Sequence, residues 1–150
     1  MNTHSDSVKY DAVDWHVGGE YPADLGPQGG RTHIGMYLAW LVERRLLSDA
    51  FVGRFPNQVR QCRDRMMKGS QLLQECCDDV LVSEDMSDVG KAFSDFYYDD
   101  FYLDDYVDTL DDEALPSIYH VQDDWATFKI LRPVLEERYA RWREDQGLDE

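Results

Sequence analysis

A mainly α fold, with one compact helical domain over residues 1–150, is predicted by three observations. Apolar residues recur at helical spacing through most of the chain, and long β-alternation is absent. Of the 150 residues, 43% are apolar, enough to bury a sizeable core without disulfides or metals.

The first thirty residues are rich in glycine and proline (Gly18, Gly19, Pro22, Gly26, Pro27), which predicts an irregular arm over 1–30. A helical body over 32–145 follows. Thr32 is placed to cap HIGMYLAWLVERRLL, with Ile34, Leu38 and Leu41 on one face and Met36, Trp40 and Leu47 on the other. Apolar on both sides, this segment (about 33–47) is the expected buried central helix. Pro56 starts another helix with Val59, Cys62 and Met66 at helical spacing and a basic face of Arg54, Arg60, Arg63, Arg65 and Lys68, ended by Gly69. Ser70 can cap a short helix through Asp79, and Val80–Val82 reads as its end in preference to a brief strand.

Ser87 caps the next segment. From there Val89, Phe93, Phe96, Leu103, Val107 and Leu110 follow steps of four and three, with Asp100 at the skipped position, as a heptad-like core stripe. Asp100 either sits in that stripe or marks a break between two shorter helices, because an unpaired buried carboxylate is costly. On the same wheel Tyr98, Tyr102 and Tyr106 form an i, i+4, i+8 row facing away from the stripe, beside Asp104, Asp105, Asp108 and Asp112. Pro116 separates this region from a last helix that Asp123 can cap, carrying Trp125, Phe128, Leu135, Tyr139 and Trp142, which Pro133 should kink or restart.

Charge is the strongest functional signal. The net charge is −16, and residues 69–128 alone hold seventeen acids against one base, Lys91. The flanks are neutral in sum. Such asymmetry argues against nucleic acid or an anionic membrane as a partner and for a basic protein. No run of eighteen apolar residues occurs, the opening lacks the pattern of a secretory signal, and the three cysteines include the adjacent pair Cys76 and Cys77. A cytoplasmic protein with reduced thiols is expected.

Motifs for catalysis are missing. His16, His33, His120, Asp14 and Asp124 are the metal-ligand candidates, yet none falls in HExxH, CxxC or a calcium loop, and no GxSxG or phosphate-binding loop occurs. His120 and Asp124, four apart, could share a helix face. His16 reads as a partly buried imidazole bonded to a backbone carbonyl, and His33 as a neutral ring in the first turn of its helix. Glu75, Asp78 and Asp79 should raise the pKa of Cys76 and Cys77. No catalytic residue, metal or cofactor is expected, although a metal-assisted hydrolase built on His16 and His33 is an alternative.

The acid run offers a binding surface instead. As continuous helix, its nine acids over 95–113 would span roughly 28 Å, about one per 3 Å, close to the phosphate spacing of a DNA strand. An acidic, nucleic-acid-mimicking regulator of a cellular enzyme is therefore a further alternative. The expected partner-binding residues are Tyr98, Tyr102 and Tyr106 as anchors and Asp104, Asp105, Asp108 and Asp112 as complements to Lys or Arg.

The stretches DAVDWH (11–16), THIGMYLAWL (32–41) and IYHVQDDW (118–125) resemble a family of small bacterial proteins that share W-H, T-H-I-G-M-Y-L-x-W and Y-x-V-x-D-x-W motifs. Such small acidic proteins are similar to the immunity proteins of bacterial toxin systems, which bind and block a cognate secreted effector. The resemblance implies that Trp15, His16, His33, Gly35 and Trp125 are scaffold positions and that acidic surface selects the toxin. It also implies that Gly35 permits close approach of another element.

Overall fold

The computed structural model describes residues 8–18, 21, 22, 25, 26 and 28–147, and its core is threaded by one helix, α2 (Gln28–Glu43). Every residue of α2 from Gly29 to Val42 except Arg31 is buried, as a helix apolar on both sides requires. It begins a turn before the predicted cap: Thr32 lies inside it, and its hydroxyl donates back to the Gln28 carbonyl at 3.2 Å. It also ends earlier than 47. Arg45 takes a left-handed φ of 59°, while Leu46 N–H reaches the Leu41 carbonyl and Arg45 N–H the Val42 carbonyl, the two hydrogen bonds of a Schellman stop.

Helices α3 (Asp49–Arg54), α4 (Pro56–Arg63) and α5 (Gly69–Cys76) follow. Pro56 opens α4 as expected, and Val59 and Cys62 are buried, but α4 stops at Arg63 and leaves Met66 exposed. Gly69 begins α5 instead of ending α4. Ser70 is within α5, where its hydroxyl donates to Asp123 at 2.6 Å. The approach of α5 to α2 is a backbone one: a Cβ on Gly35 would run into Ser70 N, and one on Gly69 into the Gly35 carbonyl oxygen. The sequence expectation for Gly35 is met.

Two expectations are corrected by a small sheet. Val80–Val82 is a strand, β2, entered through successive left-handed residues Asp78 and Asp79, which break α5 off and turn the chain. It pairs antiparallel with β1 (Lys9–Ala12), in the segment expected to be irregular, and β1 runs straight into a short helix α1 (Val13–Val17). Of the arm's glycines and prolines, Gly19 and Pro27 lie outside the described residues.

The acidic segment forms α6 (Asp88–Tyr97) and α7 (Leu103–Leu110), joined by a π-helical turn, Tyr98–Tyr102. Ser87 caps α6 by accepting from Gly90 N–H. The buried positions are Gly90, Phe93, Ser94 and Tyr97, then Tyr98 and Tyr102, then Asp105 and Tyr106. A π turn holds one residue more than an α turn, which rotates everything after it by about 100° and lets α7 continue the inward face of α6. The final helix, α8 (Trp125–Asp145), runs through Pro133 without ending and is capped by Asp124, not Asp123. Its Tyr139 and Trp142 pack edge-on against Phe93.

Candidate functional site

The predicted tyrosine row faces the opposite way. Tyr98, Tyr102 and Tyr106 are 6%, 0% and 2% exposed. The predicted stripe is likewise reversed at Phe96 and Leu103, which are 44% and 45% exposed. Two physical causes combine. The inserted residue of the π turn breaks the straight-helix wheel, and the tyrosines find partners inside that a phenyl ring could not use. Tyr98 donates to Asp11 at 2.7 Å, Tyr102 to the His33 carbonyl at 2.5 Å, and Tyr97 to Asp105 at 2.6 Å. The Tyr106 hydroxyl is buried with no hydrogen-bond partner among the described residues.

The predicted carboxylates divide. Asp105 is buried and held bidentately by Arg138 at 2.8 and 3.0 Å, so it joins α7 to α8 and cannot face a partner. Asp104, Asp108 and Asp112 are exposed, as are Asp99 and Asp100. Asp100 thus does not sit in the core; it lies on the outer side of the π turn that separates α6 from α7, the second of the two sequence alternatives. Among the described residues, the exposed acids Asp99, Asp100, Asp104 and Asp108 have no ion-pair partner. Partial burial and the neighbouring Asp100, Asp11 and Asp95 raise the pKa of Asp99, a sign of crowded negative charge.

A second constellation forms where β1, α1 and α2 meet. Asp11 projects from β1 after the bulge between Lys9 and Asp11, His16 comes from α1 five residues on, and His33 from the first half of α2. His16 Nε2 is 2.8 Å from Asp11 Oδ1, His33 Nε2 is 3.1 Å from Asp11 Oδ2, and the two Nε2 atoms are 3.1 Å apart. Outer partners fix two of the members: Tyr98 donates to Asp11 Oδ2, Ala12 N–H to Asp11 Oδ1, and Tyr119 OH meets His16 Nδ1 at 2.8 Å. Their side chains are 9%, 15% and 4% exposed for Asp11, His16 and His33, so the cluster meets solvent mainly at His16. Burial would raise the Asp11 pKa, but the hydrogen bonds from His16, His33 and Tyr98 outweigh it and hold the carboxyl well below the usual range. Burial lowers the pKa of His33 despite Asp11, leaving the ring neutral at pH 7.

Asp11 is the carboxylate that sequence reasoning passed over in favour of Asp14, which is exposed and outside the cluster. The signal was present in DAVDWH, whose first and last residues are the two that meet. His16 bonds Asp11 and Tyr119, not a backbone carbonyl. His120 lies in a 3-10 turn bonded to Ser117 and Asp124 caps α8, so they share no helix face. The three thiols are free, and burial followed by nearby acids raises the pKa of Cys76 and Cys77.

These features define a small helical protein with a tyrosine-lined carboxylate–imidazole cluster and a separate acidic flank. The chain belongs to the family described as a domain of unknown function, DUF7832, whose model matches residues 9–121. That match takes in Asp11, His16, His33 and the acidic helices and leaves out α8. No curated protein and no solved structure matches the chain. No helix among the described residues is long and apolar enough to cross a membrane.

Proposed function

We propose that the protein is an immunity-type inhibitor that binds a basic bacterial toxin or effector through the outer side of α6, the π turn and α7. The observation that supports this reading is the pairing of exposed Phe96 and Leu103 with unpaired Asp99, Asp100, Asp104 and Asp108 on consecutive outward turns. Apolar side chains supply contact area that is buried on docking, and the surrounding carboxylates steer a cationic partner and reject an anionic one. The anchors are therefore Phe96 and Leu103 in place of the three tyrosines, and Asp105 leaves the contact set.

The deciding experiment is co-purification with the native host's proteins, followed by assay of the captured partner. A basic effector whose activity is blocked at one-to-one stoichiometry is the expected result. Capture that is indifferent to Asp100→Asn, Asp104→Asn and Asp108→Asn together, or to salt, removes the reading.

A further inference from the structure

The Asp11–His16–His33 cluster poses a proton problem that hydrogen bonding alone does not solve. Three short contacts join three groups: each Nε2 to one oxygen of Asp11, and the Nε2 atoms to each other at 3.1 Å. An ionised carboxylate only accepts, so each nitrogen must carry a proton to bond to it. With protons on both, two N–H donors face each other across 3.1 Å. With a proton on one, the other nitrogen turns a lone pair toward a carboxylate oxygen. With Asp11 ionised, whichever imidazole nitrogen carries the proton, at least one of the three contacts is repulsive, in a site where the His33 and Asp11 side chains are only 4% and 9% exposed.

A cation at the centre makes all three attractive, since each group then presents a lone pair to it. We infer that Asp11, His16 and His33 form a binding site for one divalent first-row transition ion, distinct from the acidic docking flank. The spacing fits. For donor atoms about 2.1 Å from an ion, separations near 3 Å correspond to angles of about 90°, the facial arrangement of two imidazoles and a carboxylate, whereas tetrahedral angles would spread them to about 3.4 Å. The surroundings fit as well. Tyr119 against His16 Nδ1 and Tyr98 against Asp11 Oδ2 are the kind of outer hydrogen bonds that orient ligands and fix their tautomer. With Nε2 ligating, His16 carries its proton on Nδ1 and donates it to Tyr119 oxygen. The donor set of two imidazoles and one carboxylate suits Fe(II), Co(II), Ni(II) or Zn(II) over Ca(II) or Mg(II). Because the ligands come from β1, α1 and α2, the ion ties the start of the chain to the central helix.

The test uses full-length protein carrying no polyhistidine tag, stripped with chelator and titrated with Co(II), Ni(II) and Zn(II) by calorimetry, with the Co(II) visible spectrum as a second readout. One equivalent should bind, with a Co(II) ligand-field band, and free metal at about a hundred times Kd should raise Tm by roughly 5 to 10 °C. His16→Ala, at the partly exposed corner, should abolish that equivalent, and Tyr119→Phe should weaken it about tenfold or more. His120→Ala should bind like the parent. Absence of stoichiometric binding to the parent protein overturns the inference whether or not the variants fold, and so does binding that survives in folded His16→Ala.

Discussion

Arg138 on α8 grips Asp105 on α7 through two parallel hydrogen bonds of 2.8 and 3.0 Å, while its guanidinium lies over the Phe101 ring at 4.9 Å. Asp105 also accepts from Tyr97, so two side chains depend on one buried carboxylate. Arg138→Gln should destabilise the protein by roughly 2 kcal/mol, below the 3–5 expected of a fully enclosed pair because the arginine is partly solvated. Urea unfolding measures it. A loss under about 0.5 kcal/mol would mean that the pair contributes little to joining the two helices.

Tyr106 behaves oppositely. Its hydroxyl is buried with no partner among the described residues, and a polar group left unmade costs about 1–3 kcal/mol. Tyr106→Phe should be neutral or stabilising by about 1 kcal/mol, whereas Tyr98→Phe, which strips a donor from Asp11, should destabilise. Paired denaturation curves decide; a clear loss for Tyr106→Phe would reveal a partner for that hydroxyl.

Asp85 carries a pH signature of unusual sign. Burial, with Glu84 beside it, pushes its pKa up to about 6. A carboxyl raised in the folded state favours folding below its unfolded pKa and loses that contribution as pH rises through the folded value. Between pH 5 and pH 7 the parent should therefore lose about 1 kcal/mol through this group, a figure already reduced for its partial exposure. Asp85→Asn should remove the slope and be the more stable protein at pH 7, as thermal melts at both pH values will show.

The acidic flank predicts a division of labour in binding. Neutralising Asp100, Asp104 and Asp108 together should slow association with the captured partner about tenfold at low salt and flatten its salt dependence, leaving dissociation nearly unchanged. Phe96→Ala and Leu103→Ala should act through dissociation, each costing about 1–2 kcal/mol of affinity. Surface plasmon resonance at two ionic strengths separates the two effects; equal effects on both rates from every variant would argue against this arrangement.

Local signals were readable in the sequence and long-range ones were not. Pro56 and Ser87 mark their helices because N-terminal chemistry is encoded within a turn, and α2 was legible because only a core helix can be apolar all round. Val80–Val82 resisted because three apolar residues suit either period, and its partner, Lys9–Ala12, is some seventy residues away. The meeting of Asp11 with His33 depends on that same pairing, so no spacing rule could predict it. Tyrosine misled for a different reason. Its ring is as buriable as phenylalanine once the hydroxyl has an internal acceptor, and the acceptors of Tyr98 and Tyr102 come from β1 and α2, outside any wheel drawn on one helix.

The π turn at Tyr98–Tyr102 makes chain length, more than side-chain identity, the sensitive variable in this region. Deleting a single aspartate there, Asp99 or Asp100, would restore ordinary winding and swing every later side chain of α7 out of phase. Arg138 would lose its carboxylate and Tyr106 would swing toward water. Replacing the exposed acids Asp99, Asp100, Asp104 or Asp108 should therefore leave the fold intact, while gaining or losing one residue here should cost it.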